Sequence, residues 1–98
     1  MRKIVPVGAY GTSYQEVLAK CADKKDLEAA LTGIWWALSN NAEDFPLVSG
    51  YKSLRIAKTD PVRSLPALRV VFTTNGDTVQ LRWIEFVDEV EFRGPPLL

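Results

Sequence analysis

Apolar and polar residues alternate most clearly along residues 65–89 of the chain. Two runs rich in β-branched and aromatic residues, 68–74 and 78–84, stand on either side of Asn75-Gly76. Asn-Gly between two such runs is typical of a two-residue hairpin turn, because both central positions of that turn need positive φ. The pattern therefore predicts a β-hairpin that turns at Asn75 and Gly76.

This turn predicts which residues face each other across the hairpin. Phe72 would lie opposite Val79, and the face to which both belong would enter a core. That face comprises Leu68, Val70, Phe72, Val79, Leu81 and Trp83. On the other face Arg69 would lie directly opposite Arg82, an arrangement that is destabilising unless an anion lies between the two charges. Arg69 and Arg82 are therefore candidate site residues.

The N-terminal part of the chain predicts one strand and one helix. Residues 3–7 suit an opening strand, and Pro6 suits the edge of a sheet because proline has no N–H to donate. Residues 13–16 have the form of a capping box, in which a serine and a glutamate satisfy the first backbone N–H groups of a helix. We expect that helix to run over about 14–22.

A second helix is predicted after Asp23, whose side chain can cap its N-terminus. Asn40-Asn41 would end it, and its apolar residues recur at helical spacing. Those apolar residues are Leu27, Ala30, Leu31, Ile34, Trp35 and Leu38. Trp36 lies off this stripe, and we interpret it as a packing residue at the sheet edge in preference to a partner contact.

The remaining strand completes the predicted fold. Residues 51–58 suit a strand, and the order strand, helix, helix, three strands is typical of the α+β class. We expect a small twisted antiparallel sheet of about four strands, with the N-terminal helical hairpin packed on one face. Arg55, Arg69 and Arg82 would then lie together on the open face of that sheet.

The composition indicates one ordinary globular domain over residues 1–98. Cys21 is the only cysteine and there is no histidine, so disulfide frameworks and Cys/His zinc sites are excluded. We expect no metal and no cofactor. The sequence shows no signal peptide and no run long enough to span a membrane. A single thiol suits a reducing compartment, so we expect a cytoplasmic protein.

Charge is segregated along the chain although the net charge is zero. Residues 51–82 hold six basic and two acidic side chains, whereas residues 83–98 hold four acidic side chains and one basic side chain. This balance excludes a general nucleic-acid binder but allows a local basic patch. The basic residues of the first segment are Lys52, Arg55, Lys58, Arg63, Arg69 and Arg82.

Several stretches of the chain match a known pattern. They are Asn40-Asn41 and Phe45-Pro46 in a loop, Leu54-Arg55 in a strand, and the hairpin runs Leu68-Arg69-Val70-Val71-Phe72 and Asn75-Gly76-Asp77-Thr78-Val79. Together with the order of the elements, they resemble the RelE/ParE superfamily of prokaryotic type II toxins. The resemblance implies a toxin that a cognate antitoxin protein neutralises. The toxin would form either a hetero-oligomer with the antitoxin or a homodimer.

The RelE branch of the superfamily implies a ribosome-dependent mRNA endoribonuclease that needs no metal. In such enzymes basic groups stabilise the phosphate while a ribose 2′-OH attacks it. Arg69 matches the arginine at the start of the penultimate strand, and Arg82 and Tyr51 are the other catalytic candidates. The resemblance implies that the RNA would be bound by the basic residues Lys52, Arg55, Lys58 and Arg63.

The segment after the last predicted strand departs from the RelE pattern. RelE-like nucleases usually carry basic residues and a tyrosine or histidine there, whereas residues 86–92 are acidic and contain neither. Glu85 and Tyr51 are the nearest substitutes. The ParE branch inhibits DNA gyrase without such residues, so a non-catalytic protein acting on a protein target stays open beside the ribonuclease. Asp88, Glu89 and Glu91 of the acidic tail are alternative partners for Arg69 and Arg82.

Overall fold

The computed structural model of this chain describes residues 2–48, 50–59 and 65–87. In this part of the chain, two helices pack against a four-stranded sheet, which confirms the predicted α+β class. The elements in order are β1 (Lys3–Pro6), α1 (Tyr10–Lys20), α2 (Lys24–Asn41), a short 3-10 helix (Ala42–Asp44), β2 (Arg55–Lys58), β3 (Leu68–Asn75) and β4 (Thr78–Phe86).

The sheet has the strand order β1-β4-β3-β2 and is mixed, because β1 and β4 run parallel while the other neighbours run antiparallel. The two helices carry the chain from β1 across the sheet to β2 at the far edge. The hairpin of β3 and β4 then fills the space between those two strands. Pro6 lies in the edge strand β1, as its missing N–H requires.

The hairpin forms as predicted, but its turn lies one residue later. Asn75 pairs with Thr78, so Gly76 and Asp77 are the two turn residues, and Gly76 has the positive φ of 58°. The hydroxyl of Thr78 donates to the carbonyl of Asn75 at 2.9 Å. Phe72 therefore faces Leu81 instead of Val79. Both of these β4 residues lie on the same face of the strand, so the side chains predicted to enter the core near the turn do so.

A β-bulge at Arg82 changes the second half of β4. Phe72 pairs with Leu81, whereas the next residue, Val71, pairs with Trp83. The extra residue reverses which side chains of β4 face the helices. Ile84 consequently enters the core and Trp83 lies on the opposite face, so the prediction that Trp83 belongs to the helix-side core is wrong.

Helix α2 forms as its periodicity predicts. Asp23 caps it by accepting a hydrogen bond from the backbone N–H of Lys25 at 2.8 Å, and the helix ends at Asn41. The predicted apolar stripe faces the core, with four of its residues buried and Ala30 and Trp35 partly buried. Trp36 is 65% exposed, so its interpretation as a packing residue is wrong.

Helix α1 begins four residues before the predicted start and has no side-chain cap. Ser13 lies within the helix instead of at its N-terminus. Its hydroxyl donates to the carbonyl of Tyr10 at 2.9 Å and accepts from the backbone N–H of Ile84 in β4 at 3.1 Å. Since β1 ends at Pro6, Ser13 supplies the acceptor that a neighbouring strand would otherwise give to β4.

We expect Ser13→Ala to lower the free energy of unfolding by about 2 kcal/mol, because the buried N–H of Ile84 loses its acceptor. Thr32→Ala is the matched control, since Thr32 also donates to a helix carbonyl but is exposed. Urea unfolding followed by circular dichroism measures both variants. Equal midpoints for Ser13→Ala and wild type would contradict this role of the hydroxyl.

The face of the sheet away from the helices is covered in part by the segment before β2. We call residues 45–48 and 50–54 the β2 loop. Val48 and Leu54 of this loop are buried against Val71, and Ile56 and Trp83 pack beside them. The central strand β3 is consequently buried on both faces over Leu68–Thr73.

Candidate functional site

Arg69 occupies the centre of the sheet and is only 5% exposed. In register it lies opposite Glu85 of β4 on one side and Lys58 of β2 on the other. The predicted pairing of Arg69 with Arg82 is therefore wrong. The later turn alone would place Ile84 opposite Arg69, and the bulge moves the partner one residue further, to Glu85. The register therefore places one opposite charge and one like charge beside the buried guanidinium, of which only the opposite charge is favourable.

Arg82 is the extra residue of the bulge and is half-buried. Its Nε donates to the hydroxyl of Thr73 at 3.2 Å, and its Nη2 donates to Oε1 of Gln80 at 3.1 Å. The Thr73 hydroxyl in turn donates to the same Gln80 oxygen at 3.0 Å. Neutral oxygens thus hold the guanidinium in place and leave its charge available to an anion.

Arg55 lies on the face of the sheet opposite to Arg69. It pairs in register with Phe72, whose side chain is in the helix-side core, and its Nη1 donates to the carbonyl of Phe45. The prediction that Arg55, Arg69 and Arg82 share one open face is therefore wrong. A shared face would require Leu54 and Ile56 to enter the helix-side core, but both pack on the other side of the sheet with Val71.

The other candidate residues are distributed over the β2 loop and β2. Tyr51 and Lys52 lie in the loop, because the strand begins only at Arg55, and both are exposed. Lys58, at the end of β2, is exposed on the same face as Arg69. Arg63 lies outside the described residues. The alternative arginine partners in the acidic tail, Asp88, Glu89 and Glu91, lie outside them as well.

The structure contains an apolar groove that the sequence did not indicate. It lies between β1, α1 and α2, has a volume of about 360 Å³ and is lined by Ile4, Pro6, Tyr10, Tyr14, Leu31, Trp35 and Leu81. Tyr10 stacks on Tyr14 with ring centroids 6.0 Å apart and meets Trp35 edge-on at 6.4 Å. The predicted helix began only near Tyr14, so no helical pattern connected these three rings in the sequence.

Burial raises the pKa of the Tyr10 hydroxyl far above its usual range, and the nearby Tyr14 adds to the effect. An ordinary tyrosine is already protonated at neutral pH, and the raised pKa makes Tyr10 a still weaker source of a phenolate base. Burial also raises the pKa of the Cys21 thiol, with Asp23 and then Asp26 contributing by charge repulsion. The Cys21 thiolate is thus scarce, which argues against a nucleophilic role.

Exposed apolar side chains mark two further surfaces. Leu47 is 49% exposed and Tyr51 is 43% exposed, both in the β2 loop. Trp36 projects from α2, which packs on the helix side of the sheet. Large apolar side chains in such positions are typical of protein contact sites when they cluster.

Comparison of the sequence with protein-family models and with curated proteins finds no match. The described residues include no helix with the length and apolar character needed to cross a membrane. They also bring together no group of three His, Cys, Asp or Glu side chains that could hold a metal ion. The RelE/ParE resemblance therefore rests on the sequence of the hairpin, the strand that precedes it and the loop before that strand, and its functional implications stay predictions.

Proposed function

We propose that this protein is the toxin of a type II toxin–antitoxin system and that it acts in the cytoplasm by binding a protein target such as DNA gyrase. The resemblance to the RelE/ParE superfamily supports the toxin part of the proposal. The resemblance depends in part on the order of the elements, and the fold has the predicted order β1-α1-α2-β2-β3-β4. A cognate antitoxin would keep the toxin inactive by covering the surface that binds the target.

The burial of Arg69 is the observation that favours binding of a protein target over cleavage of RNA. A guanidinium that stabilises a phosphate during cleavage has to reach the phosphate oxygens with its N–H groups. Arg69 is the residue that the resemblance assigns to this contact, yet it is 5% exposed and lies across from Glu85. The position is therefore better suited to holding the sheet together than to binding RNA.

The β2 loop supplies a surface suited to a protein target. Leu47 and Tyr51 are exposed there, and Lys52, which follows Tyr51 in the chain, is exposed as well. Protein interfaces combine aromatic anchors at the centre with a polar rim. Val48 and Leu54, packed on Val71, anchor the loop to the sheet, so the exposed side chains are presented from a supported segment.

Ribosome-dependent mRNA cleavage is the second candidate function. It is favoured by the accessible charges of Lys58 and Arg82, which lie on the same face of the sheet, and of Lys52 in the β2 loop. Tyr51 would then transfer a proton and its hydroxyl would be essential. In the binding mechanism the ring of Tyr51 matters and its hydroxyl contributes little.

Two substitutions of Tyr51 separate these mechanisms. In the binding mechanism, Tyr51→Phe keeps toxicity on induced expression, whereas Tyr51→Ala weakens target binding by about 10-fold or more because the ring is lost. In the cleavage mechanism both variants are inactive. Growth after induction, mapping of cellular mRNA ends and supercoiling by purified DNA gyrase are the measurements.

Tyr14→Phe is the matched control, because it makes the same atomic change in the groove on the helix side of the sheet. If the wild-type protein produces cleaved messages and Tyr51→Phe does not, the binding mechanism is wrong and the ribonuclease mechanism is favoured. Harmless expression of the wild-type chain, with no antitoxin recovered from co-purification, would contradict the toxin proposal as a whole.

A further inference from the structure

The face of α2 that points away from the core is exposed along its whole length. The side chains on this outward face are Lys25, Ala29, Thr32, Gly33, Trp36 and Asn40. Trp36 is its largest member and is 65% exposed. The sequence from Ala29 to Ala42 contains no charged residue, so the middle of the outward face is uncharged. Depletion of charge around an exposed aromatic residue is typical of the centre of an interface.

The surface of α2 at Gly33, three residues before Trp36, is open. A Cβ added at Gly33 would have no atom within 4 Å, so the space above this residue is open. Ala29 lies one turn before Gly33 and also has a small side chain. No atom of this chain therefore blocks the approach of an indole ring from another molecule to the backbone of α2 at Gly33.

The two ends of the outward face carry opposite charges. Lys25 lies at the N-terminal end, and Asp44 follows the C-terminal end in the 3-10 helix. Glu43 is already paired with Arg2, but neither Lys25 nor Asp44 has an ion-pair partner within the described part of the chain. A face with a basic end, a neutral centre and an acidic end is complementary to a copy of itself turned end to end.

We infer that two copies of this protein form a dimer through the outward faces of α2, with the helices antiparallel and a two-fold axis near Gly33. In this arrangement Trp36 of each copy packs over Thr32 and Gly33 of the other, and Lys25 of each copy pairs with Asp44 of the other. A two-fold axis repeats each contact, as an isologous interface requires.

The C-terminal end of α2 offers Lys25 a suitable site. A polar pocket of about 330 Å³ is lined there by Arg2, Ser39, Asn40, Asn41, Ala42, Glu43 and Asp44. The last carbonyls of α2 give this end of the helix a partial negative charge, which favours an ammonium group. Arg2 does not repel the incoming lysine strongly, because it is paired with Glu43 and also donates to the Gly76 carbonyl.

The dimer does not depend on the proposed toxin function. The β2 loop packs on the face of the sheet away from the helices, so two copies joined at α2 leave Leu47 and Tyr51 accessible. The contact surface is little more than one helix face, and small interfaces of this kind are weak. We therefore expect a dissociation constant in the micromolar range.

Sedimentation equilibrium of the full chain tests the dimer. We expect Trp36→Lys to raise the dissociation constant at least ~30-fold, because it removes the central ring and places two lysines near the axis. Lys25→Glu and Asp44→Lys should each raise it by about 10-fold, and the double variant should return it to within about 3-fold of wild type. A merely structural role of either residue would give no such rescue.

Disulfide trapping tests the position of the axis. In a Cys21→Ser background, Gly33→Cys should form a cross-linked dimer on mild oxidation, because the two residues face each other near the axis. Gln15→Cys, exposed on α1, is the control and should stay monomeric. A wild-type chain that is monomeric at every concentration, a failed charge rescue, or equal cross-linking of the control would each overturn the proposal.

Discussion

Phe72→Ala is expected to lower the free energy of unfolding by about 4 kcal/mol, the largest effect of any single substitution proposed for this protein. Phe72 is fully buried in the central strand β3, and its ring meets that of Phe45 edge-on with centroids 5.8 Å apart. Truncation removes buried apolar area and leaves a cavity between the sheet and the helices. Guanidinium unfolding followed by circular dichroism measures the loss.

Trp83→Ala is the informative comparison for Phe72→Ala. Regular alternation along β4 placed Trp83 in the same core, whereas the bulge places it half-buried in the smaller cluster with Val71. We expect a loss of about 2 kcal/mol or less for Trp83→Ala. If Trp83→Ala were more damaging than Phe72→Ala, the bulge and the two-sided packing of the sheet would be wrong.

Arg69→Ala is expected to destabilise the protein by roughly 2–4 kcal/mol, because the change removes a buried side chain whose charge lies across from Glu85. This expectation is the reverse of that for a surface arginine that binds phosphate. Such an arginine could be removed with a loss of stability below about 1 kcal/mol. The denaturant midpoint of the purified variant therefore reports the role of Arg69 without any assay of activity.

Arg82→Ala is the matched control for Arg69→Ala. The two arginines have the same chemistry, but Arg82 is half-buried and is held by Thr73 and Gln80. We expect its removal to cost about 1 kcal/mol or less. Equal stability of wild type and Arg69→Ala, combined with loss of toxicity, would return Arg69 to the role of a phosphate ligand and favour the ribonuclease.

Elements defined by local periodicity were predictable from the sequence. The stripe from Leu27 to Leu38 and the cap at Asp23 predicted α2 closely, and alternation around Asn75-Gly76 predicted the hairpin. Such patterns are visible in a sequence because a helix places every third or fourth residue on one side, whereas a strand places every second residue on one side. The candidate site was less predictable, because it depends on how strands are registered against each other.

The later turn and the bulge at Arg82 together show why the site prediction failed. Trp83 and Ile84 are adjacent and both apolar, so the sequence is compatible with either of them facing the core. Packing decided the question: Ile84 lies beside α1 in the helix-side core, and Trp83 lies with Val71 and the β2 loop. The later turn thus separated Arg69 from Arg82, and the inserted residue placed Glu85 instead of Ile84 across from Arg69.

The sequence by itself determined the α+β class, the positions of α2 and the hairpin, and the segregation of charge, because these follow from patterns within short stretches of chain. Tertiary structure alone decided the parallel pairing of β1 with β4, the role of Ser13 as acceptor for Ile84, and the burial of Arg69. These features join residues far apart in the chain. Their energies come from filling the core and satisfying buried polar groups, which local patterns do not encode.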